Sequence, residues 1–168
     1  LFTDIDGTFP NHHPDPARHV SEIASGLGLD GEGVGGVGML TAADVRQWCS
    51  AETDGVEVAA TVGLGWPVWA AVPTAELGAE TDPRPRVGTI NILVVVPAAL
   101  TDAALVNLVL TATEAKTQAL VEAGVPGSGT ASDSVCVACP GPDVVGAGPD
   151  IPQPDVEYGG PRSFWGSR

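Results

Sequence analysis

Lysine is almost absent from this chain: Lys116 is the only one in 168 residues, beside six arginines. Positive charge is scarce altogether, with 7 basic against 21 acidic residues and a formal net charge of -14 at pH 7. Such a chain repels phosphate backbones and anionic lipid surfaces, so nucleic acid and membrane are not expected partners. Acidity of this kind, with abundant Ala, Gly, Val and Asp, serves solubility and is not in itself an active-site signature. No apolar run reaches the roughly 18 to 20 residues of a spanning helix, and no basic segment followed by an apolar signal core is present, which predicts a cytoplasmic protein. Cysteine is sparse as well. Cys49, Cys136 and Cys139 are an odd number, which argues for reduced thiols rather than a disulfide framework.

A chain of 168 residues suits one domain with a respectable core. It opens on Leu1 rather than methionine, and is expected to be part of a longer protein. Asp15 as N-cap and Pro16 in the first turn predict a short surface helix that exits near Gly26 or Gly28. A small strand is expected over Val37 to Leu40, then a helix from Ala42 to about Cys49 capped by Thr41. "VEVAATVGLGWPVWAAVP" reads as a strand running into a turn beside Trp66 and Trp69. "GTINILVVVP", Gly88 to Pro97, is a continuous β-branched run of the kind found in a central strand covered on both faces. Thr101 then caps a helix from Asp102 to Ala123, with Gly124 just past its end, and "SVCVAC" returns as a strand. The fold class expected is a single α/β domain with a mixed sheet covered by helices and a central strand-helix-strand crossover. From Pro140 onward the Gly, Pro and Asp content predicts an irregular surface segment.

The long helix carries the lysine. Leu105, Leu108, Val109, Ala112, Ala119 and Leu120 form its apolar stripe, while Asn107, Thr111, Glu114 and Gln118 share another face. Lys116 lies about 200° round from Glu114 and groups with Thr113 and Thr117, so the two charges are not an intrahelical pair. Pattern alone leaves two readings open: a solvated polar face, or groups that act on different things.

The segments "VGMLTAADV", "TVGLGWPVWAA", "GTINILVVV", "LTDAALVNLVLTATEAKTQALVEAGVPGSGTASDSVCVAC" and "EYGGPRSFWG" closely resemble, in that order, the adenosylcobinamide amidohydrolases. The resemblance runs from about Phe9 to Gly166, and the "GTIN", "TATEAKT" and "GTASD" blocks at this spacing make it specific. It implies a cobinamide-salvage enzyme that hydrolyses the amide joining the aminopropanol arm to a corrin propionate, giving adenosylcobyric acid. The partner is then a corrinoid small molecule, and its cobalt belongs to the substrate, so no cofactor or metal of the enzyme is expected. Family members extend further at both ends, so residues 1–168 would be one amidohydrolase domain lacking N- and C-terminal portions.

Amide hydrolysis needs a base, oxyanion donors and an acid for the leaving amine. The resemblance implies Glu114 as general base and acid, and Lys116 as electrostatic stabiliser or ligand of a substrate carboxamide or phosphate. Asn91 would donate to the oxyanion, and Thr130 and Asp133 would position water or substrate, with Thr130 a candidate nucleophile. Thr41, Thr117, Trp66 and Trp69 are expected to bind substrate, the tryptophans by stacking on the corrin edge or adenosyl base or else by packing in the core. Two alternatives stand beside this reading: a corrinoid-binding module without turnover, and a haloacid dehalogenase-type phosphatase built on Asp4 and Asp6, which "LFTDIDGTF" resembles. No later acidic motif supports the phosphatase, and an exposed turn is the simpler reading of Asp4 and Asp6. Cys136 and Cys139 point to opposite faces of a strand and read as buried small hydrophobes. His12, His13 and Asp15 read as loop and cap chemistry rather than a metal site.

Overall fold

The β-branched run after Gly88 does become the middle of the structure. A computed structural model describes residues 2–4, 15–29, 36–41, 43–71, 88–141 and 157–168. In chain order they form β1 (Phe2–Asp4), α1 (Pro16–Gly26), β2 (Met39–Thr41), one 3-10 turn (Val45–Gln47), β3 (Cys49–Thr53), β4 (Val56–Gly63), β5 (Thr89–Val95), α2 (Asp102–Glu122) and β6 (Ser134–Ala138). The main sheet has the order β3-β4-β5-β6, and β1 pairs with β2 separately, in parallel. β5 is antiparallel to β4 and parallel to β6, so the sheet is mixed and β5-α2-β6 is the expected crossover.

Alternation along β5 divides the sheet into two faces. Ile92, Val94 and Val96 pack with Val56, Val58, Val137, Leu108 and Ala112 on the α2 side. Thr89, Asn91, Leu93 and Val95 face the other way, where cover is only partial. Leu40 O of β2 accepts from Asn91 Nδ2 at 2.9 Å, but Leu93 and Val95 are half-buried and floor an open groove. Among the described residues, β5 is therefore covered on both faces over its first half, with Leu93 and Val95 half-buried.

Both helices start where their caps dictate. Asp15 accepts from Arg18 N at 3.0 Å with Pro16 in the first turn, and α1 buries no residue, as suits a surface helix. Thr101 accepts from Ala104 N at 3.2 Å, Asp102 sits in the first turn of α2, and Gly124 leaves the helix at φ 73°. Ala104, Leu108 and Leu120 are the buried residues of α2, whereas Ala119, placed in the apolar stripe by its spacing, is exposed. Among the described residues no helix is long and apolar enough to cross a membrane.

The helix expected from Ala42 to Cys49 does not form. Asp44, not Thr41, caps what there is: its Oδ1 accepts from Arg46 N at 3.0 Å, only Val45–Gln47 coil, and Cys49 already belongs to β3. A helix of two turns is marginal on its own. The competing structure is a hairpin whose two-residue turn, Asp54 at φ 49° and Gly55 at φ 81°, matches the twist of paired strands.

Asp4 lies in strand β1 rather than an exposed turn, while Asp6, His12 and His13 are outside the described residues. Cys49, Cys136 and Cys139 are free, and the last two are half-buried rather than fully enclosed. The segment after Pro140 also departs from expectation. Residues 142–156 are outside the described set, and residues 157–168 are irregular but not merely superficial. Trp165 is 4% exposed and belongs to the core, Thr111 Oγ1 donates to Gly159 O at 2.7 Å, and Arg168 pairs with Asp54 at 3.0 Å. One helix leaves apolar area on its side of the sheet, and the tryptophan fills it. Trp165→Ala is therefore expected to cost about 3–5 kcal/mol, read as a lower urea midpoint; an unchanged midpoint would place the tryptophan outside the folding unit.

Candidate active site

The loop that leaves α2 and returns to β6 folds around one carboxylate. Asp133 Oδ2 accepts from Lys116 Nζ at 2.6 Å and from Thr130 N at 3.0 Å. Its Oδ1 accepts from Ile90 N at 2.9 Å and from the Thr130 hydroxyl. One side chain thus ties together the middle of α2, the start of β5 and the turn before β6. The ion pair is almost closed to solvent, with side-chain exposures of 11% for Lys116 and 10% for Asp133. Lys116 is therefore not part of a solvated polar face.

Burial alone would push the Asp133 carboxyl up. The Lys116 ammonium, the Thr130 hydroxyl and N–H and the Ile90 N–H together outweigh it and hold the carboxyl below its ordinary value of 3.8. A carboxylate so held is a poor proton acceptor, and its chemical use is to position the lysine and the Thr130 backbone. The Thr130 hydroxyl lies between Asp133 and Gly88 O, the latter at 2.8 Å, so any nucleophilic role would require another base.

Gly129 makes the contact possible. A Cβ built there would sit 2.6 Å from Lys116 Nζ and closer still to Asp133 Oδ2, so the space a side chain would take is filled by the ion pair. The same loop is laced to the tryptophan segment: Val68 N donates to Gly129 O at 2.8 Å, Ser128 N to Val68 O at 2.9 Å, and Ala70 N to Ser128 Oγ at 2.9 Å. Beside it the Thr89 and Ser132 hydroxyls meet at 2.7 Å.

Lys116, Thr130 and Asp133 are thus brought together, with Trp66 and Trp69 on the adjoining segment. Trp69 is 50% exposed and Trp66 half-buried, so core packing does not account for Trp69. Thr117, next to Lys116 on α2, donates through its hydroxyl to Thr113 O at 3.0 Å and Ser128 O at 3.3 Å, which makes it part of the loop's support. Glu114 stands apart, exposed on another face of α2. Thr41 is 2% exposed and engaged with Ala43 N at 3.0 Å. Asn91 is fully buried, with its amide nitrogen on Leu40 O, an arrangement that does not suit donation to a substrate oxyanion. Its Oδ1 and the hydroxyl of its cross-strand partner Thr61 are buried without a partner among the described residues. The supporting Gly129, Ile90 N and Ser128 were not singled out in the sequence, because backbone donors and small residues carry no side-chain signal there. Among the described residues no group of three or more His, Cys, Asp or Glu side chains is placed to hold a metal ion.

Two outcomes follow. A group whose folded pKa is depressed contributes stability above its unfolded pKa and loses it as pH falls through the folded value. Asp133→Asn should therefore cost roughly 3 kcal/mol near neutral pH, and its unfolding free energy should fall less steeply than the wild type's below about pH 4. Urea melts across that range check this, and parallel curves would deny the carboxylate its role. Gly129→Ala should separate Lys116 from Asp133 and remove the same acid-dependent component.

The family model for adenosylcobinamide amidohydrolase matches residues 6–168. An adenosylcobinamide amidohydrolase of Halobacterium salinarum is 48% identical over 87 residues, 50% of this chain and 36% of the relative. One of Methanosarcina mazei is 33% identical over 125 residues, 74% of this chain and 54% of the relative. The chain thus spans about half, or less, of the length of these curated relatives. No solved structure matches it. With the match running through the strands, the long helix and the loop that holds Lys116, the chain belongs to the adenosylcobinamide amidohydrolase family.

Proposed function

We propose that the protein hydrolyses the amide joining the aminopropanol arm to the corrin propionate of adenosylcobinamide, leaving adenosylcobyric acid and free aminopropanol. The observation that carries this reading is the family match over nearly the whole chain, which includes the buried Lys116 and its clasp. Water adds to the carbonyl carbon, the C–N bond breaks, and the amine leaves with a proton. The developing oxyanion needs a fixed positive charge in a site of low dielectric, where such charges act most strongly. Lys116 offers that: among the described residues its ammonium makes one hydrogen bond, to Asp133, and two N–H groups are left to donate. Cobalt enters with the substrate. Glu114, exposed on another face of α2, is too far round the helix from Lys116 to act on the same carbonyl, so the proton transfers fall to another group.

Lysine rather than arginine follows from the packing. A compact ammonium sits against Gly129 where a Cβ has no room, and a planar guanidinium is larger and differently shaped. Lys116→Arg is expected to lower turnover by about 10² to 10³-fold, whereas Glu114→Gln is expected to leave kcat near that of the wild type. The assay is conversion of adenosylcobinamide to adenosylcobyric acid by a full-length version of the protein. Tight corrinoid binding without product would sink the hydrolase reading. Wild-type turnover in Lys116→Arg would remove Lys116 from the chemistry.

A further inference from the structure

Several large apolar side chains of the protein are exposed, and single ones need no explanation. Trp69, 50% exposed, differs because its backbone is fixed on both sides. Before it, Val68 N donates to Gly129 O at 2.8 Å and Val68 O accepts from Ser128 N at 2.9 Å, an isolated antiparallel bridge. After it, Ala70 N donates to Ser128 Oγ at 2.9 Å. The Ser128 hydroxyl also approaches Val68 O, at 3.5 Å, so one side chain reaches the residues on either side of the ring. Gly127 permits this closeness: a Cβ there would stand 2.8 Å from Val68 N and 3.1 Å from Pro67 Cβ.

The same serine is tied to the long helix. Its carbonyl accepts from Thr117 Oγ1 at 3.3 Å, and Thr117 follows Lys116 in the chain. Its neighbour Gly129 is the residue against which the Lys116 ammonium and Asp133 lie. The half-open ring and the buried cation are therefore held by adjacent residues of one loop. A ring fixed in advance loses little freedom when a ligand lies on it, which makes an exposed tryptophan an effective binding element. Its flat apolar face suits a flat, conjugated ring system.

We propose that Ser128 is a positioning residue for the substrate, an inference that rests on the proposed function. Through Ala70 and Val68 it holds Trp69 where the ring takes the flat face of a broad macrocycle, while Lys116 meets an amide carried on the edge of that macrocycle. Ser128 thus acts on affinity, and only through Trp69, whereas Lys116 acts on turnover.

A double-mutant cycle tests this, with calorimetric titration of adenosylcobinamide in the dark and with kcat and KM measured on the full-length protein. Ser128→Ala and Trp69→Ala should each weaken binding about tenfold or more, with the loss falling on KM more than on kcat. Adding Ser128→Ala to Trp69→Ala should weaken binding by less than about twofold more, because the serine then has no ring to place. Ser128→Thr keeps the hydroxyl and should bind like the wild type. A serine with a merely structural role would lower affinity by the same factor with and without Trp69. That additivity, wild-type affinity in Trp69→Ala, or Ser128→Thr binding as weakly as Ser128→Ala would overturn the inference and leave the hydrolase reading intact. A wild-type protein that neither binds nor hydrolyses adenosylcobinamide would overturn the proposed function and this inference with it.

Discussion

The salt bridge between Lys116 and Asp133 is the contact on which the arrangement of the site depends. Taking both charges out of water costs several kcal/mol per ion, and attraction alone does not return it unless every remaining valence of the pair is well used. Asp133 meets its part of that condition with four donors, the lysine, the Thr130 N–H and hydroxyl, and the Ile90 N–H, while Lys116 has one hydrogen bond among the described residues. The turn before β6, the first residues of β5 and the middle of α2 are therefore tied together by this pair in addition to the apolar packing of α2 on the sheet. The tryptophan segment joins them through the backbone hydrogen bonds between Val68 and the loop.

This dependence explains why a chain with six arginines keeps one lysine. The position requires a small cation that lies against a glycine and still has donors to offer. Glu114, exposed on another face of α2, takes no part in this arrangement.

Much of this was legible in the sequence, and for physical reasons. Caps at Asp15 and Thr101, the β-branched run of β5 and Gly124 are local signals, and the chain obeys them. The spacing on α2 also separates Glu114 from Lys116 correctly. What the sequence does not carry is competition between distant segments. The helix expected from Ala42 to Cys49 is lost as the Asp54–Gly55 turn pairs Cys49–Thr53 with β4, and Trp165 closes a core whose other members lie far back in the chain. Asn91 shows the limit for the site: its block marks it as a candidate, yet the approach of β2 buries it and engages its amide. Asp133 was a candidate from its own block, but its pairing with Lys116, seventeen positions back along the chain, carries no local signal.

The central claim, that one buried ion pair organises the site, is tested most directly by a double-mutant cycle with Lys116→Met and Asp133→Asn in urea unfolding. A coupling free energy of about 2 kcal/mol or more is the predicted result, because each charge is buried with the other as its counterion. Additive effects, with coupling below about 0.5 kcal/mol, would mean that the loop is held by its backbone hydrogen bonds alone and would contradict the account.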